Sequence, residues 1–319
     1  MTGTLLGPPQ GPADPSGPPV VRIEGTPVRC GTTSWADRSL VRDGLFYPRK
    51  TMTASERLAY YCTQLAVAEI ATTYRFPPTA DLARQWVART PEGFRFDVRC
   101  WSLLTRGPTL PDSLWPDLHD EVRGELRHRR RLYADHLSEG ALEECWVRFA
   151  HALVPLRDAG RLGAVVLHYP SWFTPKPDSL DVLTGARAAL AGFEVAVELT
   201  SPRWFEDDAC DTTLEWLEGA GIGFVCIDGP ANGPRATPPV VATTSDLALV
   251  RFRGRRYQEG EPWTWPYRYS DAELAGWVPR IRELATASAE VHVLMDNTWR
   301  SDAVDNARTL ARLLAGPRG

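Results

Sequence analysis

The sequence lacks the segments that carry a chain into or across a membrane. Its first 27 residues are rich in proline and glycine, but they have neither a basic start nor an apolar core, so they do not resemble a signal peptide. No later apolar run is long enough to span a bilayer. We therefore expect a cytoplasmic protein without a membrane partner, and a disordered leader over residues 1–27.

The chain also lacks the common metal and nucleotide motifs. Its six cysteines form no Cys-x-x-Cys pair and no Cys/His metal spacing, which favours reduced thiols. There is no GxGxxG after a predicted strand, no GxxxxGK[ST] and no HExxH, so dinucleotide, P-loop and zincin chemistry have no support. The formal net charge of -4 gives no general attraction to nucleic acid.

What the chain has, from residue 28 onward, is an alternation of short β-branched apolar runs with longer segments of helical periodicity. This alternation is typical of a parallel α/β fold. The runs predict strands at 28–33, 66–72, 95–100, 164–169, 195–199, 224–227, 248–252 and 291–295. Because eight parallel strands close a barrel, we expect one TIM-like (β/α)8 domain over 28–315, with a short tail at 316–319.

Two capping-box spacings mark helix starts. Thr53 precedes Glu56 by three residues, and Ser270 precedes Glu273 by the same distance. In this arrangement each side chain bonds to a free backbone amide of the other residue. The two pairs therefore predict helices after the first and seventh strands.

The longest connection lies between the third and fourth predicted strands, and it predicts two helices that break around residues 138–140. It contains a basic run at 127–131, which could attract nucleic acid. Acidic residues flank this run, so a solvated helix face with ion pairs is the favoured interpretation. Nucleic acid stays an alternative partner that the charge pattern does not favour.

Seven segments, in order along the chain, resemble the domain of unknown function 72 family, which is also called YecE-like, and especially its actinobacterial members. The segments are GTTSWAD at 31–37, LFYPRK at 45–50, TPEGFRFDVR at 90–99, LGAVVLHYPSWF at 162–173, VELTSPRWF at 197–205, YRYSDAELAGW at 267–277 and MDNTWRSDAVDNARTLARLL at 295–314. The resemblance runs from about residue 28 to 315. It implies a TIM-like barrel, but the family has no settled biochemical activity, so it implies no particular reaction.

The chain departs from the family pattern at several strand ends. It has HYP at 168–170 where Gln-Leu-Pro is usual, and ELTS at 198–201 where Glu-Phe-Arg-His is usual. It has RFRG at 251–254 in place of Arg-x-His-Gly, and its second predicted strand lacks the usual Asn or Asp. If the family shares one chemistry, these departures imply that this member has altered it.

Residue parity identifies the side chains that can meet inside the barrel. On the fifth predicted strand the odd-numbered apolar residues face the helices, which turns Glu198 inward. The same reasoning turns His168 inward and places Arg251 and Arg253 on one face of the seventh strand. Charged groups that converge at one end must form a hydrated, mutually paired cluster, because an isolated buried charge costs several kcal/mol.

Other polar residues at strand ends are further candidates. Glu69 lies on the second predicted strand, Arg99 on the third, and Asp228 at the end of the sixth. Asp296 and Asn297 follow the last strand, and only one of them can point inward from a regular strand. Aromatic residues just after predicted strands could line a pocket: Trp35, Tyr74, Trp172, Trp204, Trp263 and Trp265.

The favoured hypothesis is a cofactor-free enzyme of the hydrolase or lyase type that acts on a small anionic molecule. Glu198 and His168 would serve as general base and acid, with Asp228 as a third catalytic group. The substrate-binding candidates are Arg251, Arg253, Arg99, Tyr74, Trp35, Trp172, Trp204, Asp296 and Asn297. An equally open interpretation is that one strand-seven arginine merely neutralises Glu198 or Asp228.

Two alternatives come from other functional classes. The first is a divalent-metal hydrolase of phosphodiesters, with Glu69, His168, Glu198, Asp228 and Asp296 as ligands. The second is a non-catalytic protein that binds nucleic acid or another ligand through the basic run and the loop aromatics. The oligomeric state is not determined by the sequence.

Overall fold

The computed structural model describes residues 18–206, 208–231, 236, 238–256 and 266–316. Among these residues nine β-strands form one sheet. The strands are β1 Val21–Ile23, β2 Thr26–Thr32, β3 Val67–Ile70, β4 Arg95–Arg99, β5 Leu162–Tyr169, β6 Val195–Leu199, β7 Gly223–Asp228, β8 Leu247–Phe252 and β9 Glu290–Met295. Strands β2 to β9 pair in parallel in chain order, and β9 pairs back with β2. The sheet therefore closes into the predicted eight-stranded barrel.

The α-helices of the described residues surround this barrel. They are α1 Arg38–Asp43, α2 Ala54–Cys62, α3 Ala80–Ala88, α4 Glu139–Asp158, α5 Pro177–Ala189, α6 Ala209–Gly219, α7 Asp271–Ala275, α8 Val278–Ala287 and α9 Asp302–Ala315. Thr53 and Glu56 form the capping box at the start of α2, and Ser270 and Glu273 form the one at the start of α7. Both predicted helix starts are confirmed.

A strand lies within the segment that the sequence predicts to be a disordered leader. Strand β1 falls within residues 1–27 and pairs antiparallel with β2. Glu24 and Gly25 make the turn between the two strands, both with positive φ, as a tight hairpin requires. The predicted leader boundary at residue 27 is therefore too late.

The long connection between β4 and β5 contains one α-helix, α4, rather than two. Short 3₁₀ helices precede it, and two of them begin at Pro111 and Pro116, where a proline cannot supply the amide that a continuing helix needs. The basic run at 127–131 therefore does not lie on an α-helix. Arg127 donates to the carbonyl oxygens of Val122 at 3.0 Å and Asp120 at 2.6 Å, so its guanidinium group is hydrogen-bonded within its own loop.

An apolar layer fills the middle of the barrel interior. All of its residues are 7% exposed or less: Val67, Ala164, Val166, Ala196, Val225, Ile227, Leu247, Leu249 and Leu294. Alternate strand residues point outward and pack under the helices in a second, larger apolar core. The charged interior residues are therefore divided between the two ends of the barrel.

An imidazole lies between two carboxylates at the N-terminal end. His292 Nδ1 lies 3.0 Å from both carboxylate oxygens of Asp97, and Nε2 lies 3.1 Å from Glu290 Oε1. Burial alone would lower the pKa of His292, but the two carboxylates raise it to about 9. A Cβ at Gly163 would lie 2.4 Å from Asp97 Oδ1, so glycine leaves the room that this pair needs. A charged imidazole therefore closes this end of the barrel.

The six cysteines are all free, and five of them are buried. This confirms the prediction of unpaired thiols. Burial raises the pKa of the Cys30 thiol to about 12, so it stays protonated at neutral pH. No helix in the described part of the chain has the length and apolar character needed to cross a bilayer.

We predict that the stabilising contribution of His292 disappears at alkaline pH. A histidine whose pKa rises from 6.5 to about 9 on folding stabilises the fold fully below 6.5 and loses this contribution as the pH rises through 9. The gap in free energy of unfolding between wild type and His292→Gln should therefore shrink by about 3 kcal/mol from about pH 6 to about pH 9.5. Urea unfolding at both pH values measures the gap.

The matched control is His151→Gln, which changes an exposed histidine on α4. Its gap from wild type should not depend on pH in this range. A gap for His292→Gln that is the same at both pH values would contradict a charged imidazole in the folded protein.

Candidate active site at the C-terminal end of the barrel

Arg251 is the centre of a charged cluster at the C-terminal end of the barrel. Its side chain is 1% exposed and lies between two fully buried carboxylates, Glu69 on β3 and Glu198 on β6. Arg251 is ion-paired with Glu69, and its Nε lies 2.7 Å from Glu198 Oε2. Each of the three residues occupies an inward position near the end of its strand, so closure of the barrel brings them together.

Three more charged side chains complete the cluster at the barrel mouth. Arg253 pairs with Glu198, Arg99 Nη2 lies 2.7 Å from Glu69 Oε1, and Asp296 Oδ2 lies 3.5 Å from Arg251 Nη1. Three guanidinium groups thus face three carboxylates, and their formal charges cancel. The outer side chains of Asp296, Arg99 and Arg253 are 27%, 16% and 12% exposed, so the cluster is partly accessible on this side.

Several polar atoms of the cluster have no hydrogen-bond partner among the described residues. They are Arg99 Nε and Nη2, Arg251 Nε and Glu198 Oε2. The short contacts of Arg99 with Glu69 and of Arg251 with Glu198 are therefore electrostatic and lack hydrogen-bond alignment. Because buried polar groups are normally hydrogen-bonded, these atoms depart from the usual pattern, and they lie in the buried part of the cluster rather than on its exposed side.

His168 on β5 forms a hydrogen bond with the same cluster. Its Nδ1 lies 2.8 Å from Glu198 Oε1. Burial lowers the pKa of His168 well below 6.5, and Arg99, Arg253 and Arg251 lower it further. The imidazole is therefore neutral at neutral pH. Because a carboxylate only accepts hydrogen bonds, Nδ1 carries the proton and Nε2 is left as an acceptor.

Asp228 lies outside this cluster, although the sequence placed it inside. It accepts hydrogen bonds from Arg255 Nη2 at 2.6 Å, the Tyr269 hydroxyl at 2.7 Å and Trp277 Nε1 at 2.6 Å. Strand β7 extends through Asp228, and Ile227 takes the inward position. Parity therefore turns Asp228 toward the helices, and the prediction that it joins the cluster is wrong.

The Asp228 network instead fixes the turn from which Arg253 reaches Glu198. Arg253 N donates to the Asp228 carbonyl at 2.8 Å, and Gly254 N donates to the Tyr269 hydroxyl at 2.8 Å. Gly254 has a φ of +84°, and a Cβ there would lie 2.9 Å from Tyr267 Cβ. The sequence did not reveal this clamp, because its members lie far apart in the chain.

Asp296 and Asn297 point to opposite sides of the last strand end. Asp296 Oδ1 accepts a 2.8 Å hydrogen bond from Thr33 Oγ1 inside the barrel mouth. Asn297 Nδ2 donates to the Tyr267 carbonyl at 2.8 Å and to Asn306 Oδ1 at 2.9 Å, which ties the loop to α9. Asn297 is therefore not in the cluster. Thr33 is a member that sequence reasoning missed, although its alternation with Arg29 along β2 was a usable signal.

Two of the predicted pocket tryptophans pack against the outer apolar core. Trp35 is partly buried and packs edge-on against Trp86 and Phe96, with ring centroids 6.4 and 5.7 Å away. Trp204 is 1% exposed and donates from Nε1 to the Phe173 carbonyl at 2.7 Å. The prediction that Trp204 lines an open pocket is therefore wrong, whereas that for Trp35 stays a prediction.

Of the other predicted aromatics, Tyr74 is beside the cluster. Its ring meets the His168 ring edge-on, with centroids 5.7 Å apart. Trp172 is 54% exposed and lines a separate groove near the mouth. Trp263 and Trp265 lie outside the described residues.

The alternative metal-ligand set is not assembled. Within the described residues no group of three or more His, Cys, Asp or Glu side chains is arranged to hold a metal ion. Arg251 separates Glu69 from Glu198, and Asp228 is on the helix side of the barrel wall. The sequence supplied suitable residue types, but the fold places arginines between them.

Known proteins resemble this chain over nearly its whole length. It is 27% identical over 298 residues to UPF0759 protein YunF of Bacillus subtilis (strain 168), a match that covers 90% of this chain and 94% of that protein. Its fold is similar to the crystal structure of a DUF72 family protein from Enterococcus faecalis V583, with a TM-score of 0.74, 22% identity and coverage of 92% of this chain and 97% of that chain. The corresponding values for a DUF72 family protein from Thermotoga maritima MSB8 are 0.68, 25%, 89% and 97%. Residues 29–318 match the family described as protein of unknown function DUF72, and the chain therefore belongs to that family.

Proposed function

We propose that this protein is a cofactor-free enzyme of the hydrolase or lyase type, in which His168 transfers protons to and from a small anionic substrate. The hydrogen bond from neutral His168 to Glu198 carries this proposal, because it leaves Nε2 free as a base. The His168 side chain is 22% exposed, whereas that of Glu198 is fully buried. The substrate can therefore reach the imidazole but not the carboxylate.

Glu198 orients the imidazole rather than exchanging protons with the substrate. It is held by Arg251, Arg253 and His168 together, so no free face is left for a substrate. Once His168 has taken a proton, the carboxylate stabilises the imidazolium that forms. Burial and the nearby arginines keep the pKa of His168 low, so the imidazolium readily passes its proton on to a leaving group.

Arg99 and Arg253 supply the positive charge for an anionic substrate. Both side chains are partly exposed at the mouth, Arg99 at 16% and Arg253 at 12%. Asp296 is the most exposed carboxylate of the cluster, so a substrate anion would share these arginines with Asp296 rather than with the deeper glutamates. A carboxylate or phosphate suits this planar donor geometry.

We predict that catalysis requires His168. Small carboxylates and phosphate mono- and diesters incubated with the protein in D2O can be followed by proton NMR, which detects product and also exchange of a substrate proton for deuterium. On the substrate so found, His168→Gln should lower kcat by about 10²- to 10⁴-fold, since it removes the transferring group. Arg99→Gln should mainly raise KM.

His151→Gln serves as the matched control and should keep wild-type kcat, because His151 is exposed on α4. Equal kcat values for wild type and His168→Gln would contradict the proposal.

We also predict that Arg253 affects the pKa of His168 and, through it, the pH dependence of catalysis. Arg253 helps to lower the pKa of His168, so Arg253→Gln should raise that pKa. Because the base must be unprotonated, the acidic limb of the kcat/KM profile should move to higher pH in the variant. Titration of the His168 ring signals by NMR measures the same shift without a substrate.

Arg203→Gln is the control, since Arg203 is exposed and also follows β6. It should leave the titration of His168 unchanged. A His168 pKa at or above 6.5 in the wild type would contradict the proposed electrostatics.

A further inference from the structure

A groove of about 730 Å³ lies at the same end of the barrel as the charged cluster. We call it the tryptophan groove. Its walls come from the loop after β4, the start of α4 and the loop after β5, and they include Leu104, Arg106, His136, Leu142, Trp146 and Trp172. Small-molecule sites in proteins usually have volumes of roughly 300–1,000 Å³. The groove is therefore large enough for a small organic ligand.

Aromatic surface dominates the accessible side of the tryptophan groove. Trp172 is 54% exposed, and Trp146 and Tyr133 are partly exposed in its walls. An exposed tryptophan that lines a concavity offers a flat apolar face to a ligand ring. Contiguous exposed apolar surface of this kind often marks a binding site.

The polar atoms in the groove favour an anionic ligand. Arg106 and Arg123 line it, and neither guanidinium is paired with a carboxylate within the described residues. Arg106 also has a φ of 58°, a left-handed conformation that is costly for a residue with a side chain and is found at functional sites. His136 Nδ1 is buried without a hydrogen-bond partner in the described chain.

Two carboxylates, Asp135 and Glu139, also line the groove, so its formal charges balance. Glu139 is in the first turn of α4, where a carboxylate interacts favourably with the positive end of a 20-residue helix. Neither carboxylate is within salt-bridge distance of Arg106 or Arg123 among the described residues, so both guanidinium groups are left available to the acidic group of a ligand.

Tyr74 connects the groove to the proposed base. Its ring lies 5.7 Å from that of His168, and its hydroxyl lies 2.4 Å from where a Cβ of Gly107 would be, next to Arg106. Trp172 is four residues beyond His168 on the loop after β5. Tyr74 therefore lies between His168 and the loop after β4 that contributes Arg106 to the groove.

We propose that the tryptophan groove binds the planar aromatic part of an anionic small molecule, with Trp172 against the ring and Arg106 and Arg123 near the acidic group. The proposal also identifies the chemical class of the substrate that reacts at the barrel mouth, and this part of it rests on the proposed function. Binding to the groove itself does not require catalysis, so the two can be tested separately.

The test uses 2-naphthoate and its neutral counterpart 2-naphthylmethanol as probes for the full-length protein, with calorimetric titration as the measurement. The naphthoate should bind at one site and more tightly than the alcohol. Trp172→Ala should weaken both ligands about tenfold, because it removes the ring contact. The double variant Arg106→Gln/Arg123→Gln should weaken the naphthoate about fivefold and leave the alcohol unchanged.

Matched controls exist on the same molecule. Trp299 is 36% exposed outside the groove, so Trp299→Ala should not change binding of either probe. Arg129→Gln/Arg130→Gln removes two exposed arginines of the same connection that do not line the groove, and it should also have no effect.

Four results would overturn the proposal. Three concern the probes: no binding of naphthoate, binding that Trp172→Ala leaves intact, or equal losses of acid and alcohol in the arginine double variant. The fourth is dissociation of an oligomer by Trp172→Ala, which would assign the groove to a second copy of the chain. Intact naphthoate binding together with a fully active His168→Gln variant would contradict the proposed function and leave the proposal for the groove standing.

Discussion

The charged cluster at the C-terminal end of this barrel depends on the ion pairs of Arg251 with Glu69 and Glu198. Three charged side chains that point into a closed cylinder have no solvent to stabilise them, so they must neutralise one another. Removing one partner would leave an uncompensated charge in the interior, which costs several kcal/mol. Arg251, which pairs with Glu198, is also one of the arginines that lower the pKa of buried His168 further. The same ion pair therefore links the fold to the proposed chemistry.

The two ends of the barrel use charge differently. At the N-terminal end, His292, Asp97 and Glu290 are joined by hydrogen bonds, and the imidazole is charged. At the C-terminal end, His168 also meets a carboxylate, but burial lowers its pKa and three nearby arginines lower it further, so it is neutral. The same residue type is therefore a structural cation at one end and a candidate base at the other, because only at the N-terminal end do the neighbouring carboxylates outweigh the cost of burying the charge.

The outer layer contributes to the candidate site through the loops after the strands. Asp228 and Tyr269 fix the turn that carries Arg253, although neither points into the barrel. The loops after β4 and β5, together with α4 and α5, form the tryptophan groove. The barrel strands thus supply the charged groups, and the surrounding loops set their positions and add aromatic surface for a ligand.

The sequence by itself determined the barrel, its capping boxes and the inward direction of Glu198 and His168. These features depend on local periodicity, in which a period of two residues fixes the face of a strand and the spacing of polar residues marks a helix start. The seven family-like segments also predicted the family correctly. Only the tertiary structure decided which inward groups pair, as with His292 and Asp97, which are 195 residues apart.

The wrong predictions concern the position of a side chain at a strand end or in a loop. The sequence placed Asp228 inside because it lies at a strand end, without applying parity to that strand: Val225 and Ile227 take the inward positions, so Asp228 faces outward. It placed Trp204 in a pocket because loop conformation is set by contacts with distant helices and strands rather than by local pattern. Local periodicity fixes the direction of a side chain, whereas its partners are fixed only when the closed barrel brings distant residues together.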